Sequence, residues 1–435
     1  MYKPQLIVAA PSSGSGKTMV TCGLLRALSK KGFRVQPYKC GPDYIDPIYH
    51  KKVSGKQSVN LDLFMMAESH LKEVYANYLV EADIAVVEGV MGLFDGAVKD
   101  QGSTAELAKV LNLPIILVVN AKATAYSVAP LLKGFKEFNP DLEFAGVIFN
   151  QVGSENHYRI LKEAAEDIGI NCLGYLPFSE ALKAPSRHLG LHLDEKLVRF
   201  NQLAEKAAEL IDKHVDLSQL MKVSQSTFGL GSPKVLKRGA LKIAVAKDEA
   251  FCFTYAENLR CLEEIGQLSF FSPLKDKYLP NADLVYLPGG YPEQFADQLA
   301  GNHEMRKAIL DHHEKGKAIL AECGGLMYIG KELELNEEEV FPMCDLLPLR
   351  TSMKDKRLHL GYRSVSLKNQ VFKGHEFHFS DFEELKAIQK SGEVKDAKGQ
   401  VVDMPVFYQD NILASYMHWY WGENPSFFDL LNLNT

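Results

Sequence analysis

The stretch Ala9-Ala10-Pro11-Ser12-Ser13-Gly14-Ser15-Gly16-Lys17-Thr18 follows an apolar run and precedes a helical pattern. Residues of these types at this spacing make a phosphate cradle. Gly14 and Gly16, with Ser13 and Ser15 between and before them, let successive backbone N–H groups converge on an anion. The helix that follows adds its dipole, Lys17 reaches the outer phosphates, and Thr18 offers a hydroxyl to Mg²⁺. Pro11 stands where the usual loop has a glycine, so the loop belongs to a variant class. Without a ligand, the same residues would form a plain strand-to-helix turn.

Phosphoryl transfer also needs carboxylates at strand ends. Two segments supply them: Lys39-Cys40-Gly41-Pro42-Asp43-Tyr44-Ile45-Asp46-Pro47 and Glu88-Gly89-Val90-Met91-Gly92-Leu93-Phe94-Asp95-Gly96. Glu88 ends an apolar strand, where an acid is expensive unless it is paired or bound to metal. Thr18, Asp43 and Glu88 are therefore the candidate metal ligands. Asp43, Asp46 and Asp95 each adjoin Pro or Gly and could instead shape turns. On strands of one sheet, the acids together read as a site.

A second constellation lies far downstream. In Ala321-Glu322-Cys323-Gly324-Gly325, the thiol sits between an apolar strand and a helix expected to start near Gly325. A tight turn would expose the sulfur, and the helix dipole would favour its thiolate. Such a nucleophile needs a base, which can be remote in sequence. His418, after the expected strand Ile412–Met417, is the candidate. Gly289 and Gly290, with Gly324, are the candidate backbone donors to a developing oxyanion. Cys323 could equally be a small core residue. In Gly374-His375-Glu376-Phe377-His378, a strand would put Glu376 and His378 on one face. That face reads as a paired polar surface in preference to a metal site, for want of further ligands. A phosphate cradle and a thiol nucleophile in one chain imply a nucleotide-driven reaction fed by a group released at sulfur. Delivery of ammonia from glutamine to an activated acid fits.

The elements that must position these residues alternate. Leu6–Ala10, Phe33–Tyr38, Ile84–Glu88, Ile115–Asn120 and Ala145–Asn150 read as buried strands. Thr18–Lys30, Ser103–Leu111 and His157–Ile168 read as helices. This rhythm predicts a mostly parallel sheet covered on both faces, with ligands at its strand ends. It restarts after a Ser-, Gly- and Lys-rich stretch. The expectation is an ATP-binding domain over 1–221, a linker over 222–240 and a second α/β domain over 241–435. A chain of 435 residues exceeds one ordinary core. Its net charge of −6 argues against nucleic-acid binding by bulk charge, so an anionic substrate must be met by local Lys and Arg. Seven scattered cysteines without a CxxC pair fit a reducing cytoplasm. No signal-peptide pattern and no apolar run long enough to span a membrane are expected.

In order along nearly the whole chain, these motifs resemble the cobyrinate a,c-diamide synthase family, cytoplasmic enzymes of corrinoid biosynthesis. Arg187-His188-Leu189-Gly190-Leu191, Pro288-Gly289-Gly290-Tyr291-Pro292-Glu293 and Ser415-Tyr416-Met417-His418 also carry the resemblance. It implies an N-terminal P-loop amidoligase domain like dethiobiotin synthetase and a C-terminal class I (triad-type) glutamine amidotransferase-like α/β domain. It further implies ATP, Mg²⁺ and L-glutamine, with cobyrinate amidated at its c and a acetates through an acyl phosphate. Carried over by motif, Asp43, Tyr44, Ile45, Asp46, Asp95, Arg187 and His188 would meet the acid substrate. Better-known glutaminases of this class place Glu two residues after the histidine; here that residue is Tyr420. A Cys323–His418 dyad is then the reading, with the third member unassigned. Hydrogenobyrinate or nickel-sirohydrochlorin are alternative substrates of the same chemistry. A nucleotide-switch protein like the partitioning ATPases, with no use for Cys323, is the alternative of another class. Related P-loop folds often pair, which makes a homodimer the expected assembly.

Overall fold

The computed structural model describes residues 2–180, 193–226 and 239–433. The chain divides into two compact units, Met1–Lys234 and Val235–Thr435.

In the first unit, β1 (Lys3–Ala9) leads through the glycine-rich loop into α1 (Lys17–Lys30). There follow β2 (Val35–Cys40), α2 (Ile45–Ser54), β3 (Val59–Leu61), β4 (Ile84–Glu88), β5 (Ile115–Asn120), β6 (Phe144–Val152) and β7 (Cys172–Pro177). They pair in the order β3-β2-β4-β1-β5-β6-β7, all parallel. Leu6, Ile7, Val8 and Ala9 of the central β1 are fully buried, as expected for a parallel strand covered on both faces. The order places the ends of β1, β2 and β4 side by side, so loops far apart in sequence meet at one rim.

The segment expected to begin the linker partly belongs to this unit. Gln225–Ser226 pairs antiparallel with Lys3 and Pro4, and Ser224 O accepts from Gln5 N. Residues 227–238 lie outside the described residues.

The second unit holds a six-stranded sheet. Its order is Gly266–Phe271, Leu241–Ala246, Leu284–Leu287, Ala318–Glu322, Ile412–Ser415 and Val406–Gln409, the last antiparallel. A separate antiparallel sheet runs Glu393–Asp396, His359–Leu367, Gln370–His378 and Met417–Tyr420. The expected single strand Ile412–Met417 is thus two strands in two sheets. The chain changes sheet at Tyr416, and His418 lies inside the second strand instead of after the first. Among the described residues no helix is long and apolar enough to cross a membrane.

Candidate functional site

In the first unit, Gly14 and Gly16 have φ of 79° and 95°, the left-handed region in which side chains are strained. Gly16 is also spatially required, since a Cβ there would lie 2.1 Å from Asn150 Nδ2. Asn150 in turn donates to Ser15 O at 3.0 Å, so the end of β6 braces the loop. Ser13 is exposed at the open side of the turn.

The two acid segments converge as the sequence suggested. Thr18 Oγ1 donates to Glu88 Oε1 at 2.6 Å, and Lys17 Nζ donates to Met91 O. Leu93 N donates to Ala10 O at 2.8 Å, which ties the segment after β4 onto the phosphate loop. Asp95 Oδ2 accepts from Gly92 N at 2.9 Å, and Asp43 Oδ1 accepts from Ile45 N at 2.8 Å and Asp46 N at 3.2 Å. Both aspartates therefore shape turns, and these turns hold the segments at the rim. Tyr44 is buried and Ile45 half-buried at the start of α2. Arg187 and His188 lie outside the described residues.

Sequence reasoning missed two residues here. Lys39, 3% exposed, pairs with Asp46 at 3.2 Å, lies 4.0 Å from Glu88 Oε1 and donates to Gly89 O at 2.9 Å. His50, fully buried, meets Glu88 Oε2 at 2.6 Å and Ser58 Oγ at 3.0 Å. Burial opposes the charge on Glu88. Lys39, His50 and Thr18 outweigh it and hold the carboxyl below its ordinary range. A lysine near the end of the fully buried strand Val35–Cys40 was the one available signal.

In the second unit, Cys323 sits at the N-terminus of helix Gly324–Ile329 with φ 46° and ψ −103°. A non-glycine residue there is strained by about 1–3 kcal/mol, and such strain clusters at functional turns. Cys323 N donates to Ser415 O at 2.8 Å, and its Sγ lies 3.9 Å from Phe377 O. Gly289 separates the thiol from the imidazole: a Cβ there would meet His418 Cε1 at 2.3 Å and Cys323 Cβ at 3.4 Å. Gly289 thus lies against both the His418 ring and the Cys323 side chain, where a Cβ would crowd the ring. A Cβ on Gly324 would lie 3.1 Å from Gly290 N, so the candidate oxyanion amides are neighbours. Burial pushes the Cys323 thiol up, with smaller contributions from the Glu293 and Glu322 charges. Burial, then the nearby His375 and His378, push His418 well down. Both groups are neutral at rest near pH 7.

His375 is the cross-strand partner of His418, and their rings stack at 4.9 Å. Tyr255 Oη meets His375 Nδ1 at 2.8 Å. Glu376 and His378 share a face, as the strand reading required. Their side chains bond at 2.8 Å, His378 Nδ1 donates to Ser380 O, and Arg363 grips Glu376 Oε2 at 2.6 Å. Burial opposes ionisation of Glu376, but His378 and Arg363 outweigh it and keep the carboxyl below its ordinary range. His359 joins this pair, the three donor atoms lying within 4.8 Å of one another. The rings of His359 and His378 stack nearly parallel at 4.7 Å, so their in-plane lone pairs do not converge on one ion. Arg363 already neutralises the acid. The cluster is a packed polar face.

Two family models match this chain. A CobQ/CobB/MinD/ParA nucleotide binding domain covers residues 6–191, and a CobB/CobQ-like glutamine amidotransferase domain covers residues 242–426. Among curated relatives, a cobyrinate a,c-diamide synthase of Listeria innocua is 41% identical over 97% of each chain. One of the same name from Streptococcus sanguinis is 41% identical over 95% of each chain. A hydrogenobyrinate a,c-diamide synthase of Brucella abortus is 40% identical over 95% of this chain and 97% of its own.

Proposed function

The chain belongs to the cobyrinate a,c-diamide synthase family, and from that premise we propose that it converts the a and c acetate carboxylates of cobyrinate to amides, using ATP and glutamine. It is a glutamine amidotransferase-type carbon–nitrogen ligase of cobalamin biosynthesis. The observation that carries the substrate reading is the near-full-length match to synthases of that name, with both half-sites inside the matched span.

A carboxylate resists ammonia because its carbon is electron-rich and oxide is a poor leaving group. Transfer of the ATP γ-phosphoryl group to the carboxylate gives a mixed anhydride whose leaving group is phosphate. Ser13, Gly14, Ser15 and Gly16 cradle the nucleotide phosphates, and Lys17 turns from Met91 O to the outer phosphate. Thr18 and Glu88, whose oxygens lie 2.6 Å apart with the acid also bonded to His50, would hold Mg²⁺. Asp43, in the turn before α2, would be the further ligand. When bound, the ion would supply charge neutralisation on the phosphates. Tyr44, Ile45, Asp46, Asp95, Arg187 and His188 are assigned to orienting the acid.

In the second unit, the Cys323 sulfur attacks the glutamine amide carbon as His418 takes the thiol proton. The tetrahedral oxyanion is held by the amides of Gly290 and Gly324, with Gly289 shaping the cradle. Its collapse expels ammonia, protonated by His418, and leaves a γ-glutamyl thioester that water hydrolyses. The acyl phosphate takes up the ammonia and releases phosphate. We assign the reaction to the cytoplasm and expect a homodimer.

Replacing Cys323 with Ser tests the scheme. Glutamine-driven amidation should fall by 10³-fold or more, on the order of losing a covalent nucleophile, while ammonia-driven amidation persists. Survival of the glutamine-driven output with no gain from ammonia would sink the assignment. Cobyrinate and hydrogenobyrinate synthases match at 41% and 40%, so the two substrates must be assayed side by side.

A further inference from the structure

Glu322, the residue before the thiol, has no part in the scheme above, yet it is fully buried and doubly bonded. Its Oε2 meets Tyr286 Oη at 2.8 Å, and its Oε1 accepts from Trp419 N at 3.0 Å. These contacts span a discontinuity in the fold. The strand Ala318–Glu322 ends at the elbow in the six-stranded sheet, and its ladder to Ile412–Ser415 stops at Ser415. The chain then changes sheet, and His418 belongs to the antiparallel one. Past Ser415, the Glu322 side chain bridges from the elbow residue's neighbour to the amide that follows His418. It does in side-chain bonds what a shared ladder would do in backbone bonds.

Its charge state follows from its surroundings. Both partners, a phenol and a backbone amide, are neutral groups, and the adjacent sulfur must become an anion during catalysis. An ionised Glu322 would oppose that thiolate, since its charge raises the Cys323 thiol. A protonated carboxyl keeps both bonds. In the structure the Tyr286 hydroxyl donates to Oε2; with the acid protonated that hydroxyl turns to accept the acid O–H, and the carbonyl oxygen still accepts from Trp419 N. Burial moves in the same direction, pushing Glu322 up to about 8 against the two hydrogen bonds.

We propose that Glu322 is a positioning residue of the thiol half-reaction, acting as an uncharged carboxylic acid that locks the Cys323 elbow to the His418 strand. The inference rests on the glutaminase role assigned to Cys323 and His418.

The test measures glutamate release with ATP and cobyrinate present, as kcat and KM against pH, in wild type and in E322Q, E322A and Y286F. Glutamine at position 322 reproduces a neutral acceptor for Trp419 N and a neutral donor for Tyr286. E322Q should therefore keep kcat within about 3-fold and lose the decline that ionisation of the acid imposes above about pH 8. E322A should lower kcat by about 10²-fold, the usual consequence of ~1 Å misplacement, with KM nearly unchanged. Y286F should fall between them. Ammonia-driven amidation in each variant separates the outcomes. If it is absent in wild type, the ligase assignment fails; if it is present throughout, the thiol half-reaction alone is being read. E322Q as impaired as E322A would overturn the neutral-acid role, and wild-type kcat in E322A would overturn the positioning role.

Discussion

At the scale of single residues, the chemistry is set by proton positions that burial imposes. Burial raises the Cys323 thiol and lowers the His418 imidazole, so no thiolate–imidazolium pair stands ready in the free protein. Alkylation of Cys323 by iodoacetamide, followed at peptide level because seven cysteines are present, should be slow at pH 7. It should still be climbing at pH 9. Rapid alkylation that is flat between pH 6 and 8 would contradict the neutral pair. Glu88 is the opposite case, an acid held ionised by Lys39 and His50 although burial resists it. Because its folded value is depressed, its stabilising contribution is present above the unfolded carboxylate value of about 4.3. It is lost as pH falls through the lower folded value. Glu88→Gln should cost about 3 kcal/mol at pH 7, because the buried Lys39 loses one of the acids that offset its charge. Thermal melts between pH 7 and pH 3 should show wild type converging on the variant. The anions at 43, 46, 88 and 95 were legible because Pro, Gly and strand ends flank them. Lys39, His50 and Glu322 were not. Each lies in a run that reads as core or helix, and only the fold reveals what it faces.

Among the elements, the informative ones are the strand ends. The β1–α1 turn and the Ala318–Glu322 elbow follow from an apolar run, small residues and a helix pattern, which local sequence carries well. The crossing from Ile412–Ser415 to Met417–Tyr420 does not. Six apolar or small residues in a row say strand and nothing about which sheet each half joins. The antiparallel sheet carrying His375 and His418 was likewise invisible, since its pairings are long-range. Gly289 lies in close contact with the His418 ring. Gly289→Ala puts a methyl 2.3 Å from His418 Cε1, and neither the helix behind Cys323 nor the His418 strand is free to retreat. Glutamine-driven kcat should drop by about 10²-fold or more while ammonia-driven amidation stays near wild type. An alanine variant with unchanged glutamate release would show that the imidazole is elsewhere during catalysis.

For the molecule as a whole, the proposed scheme gives one half-reaction to each of two compact units, and the question is whether damage in one is felt by the other. Lys17 lies in the first unit and Cys323 in the second. If the units are chemically separate, Lys17→Met abolishes ATP-dependent amidation and leaves basal glutamine hydrolysis within a few-fold of wild type. Tyr420 occupies the position where better-known glutaminases have an acid to orient the histidine. With a neutral Cys323–His418 pair besides, the basal rate should be slow, and loading of ATP and the macrocycle should raise it. Lys17→Met should then retain the slow rate and lose the increase. Two measurements decide this: glutamate release by wild type with and without ATP and cobyrinate, and the same pair for the variant. Equal rates in wild type under both conditions would remove the coupling while leaving the separate half-reactions intact. A variant with no basal hydrolysis at all would show that the phosphate loop also governs the resting thiol site. In that event the two units could not be treated as independent parts.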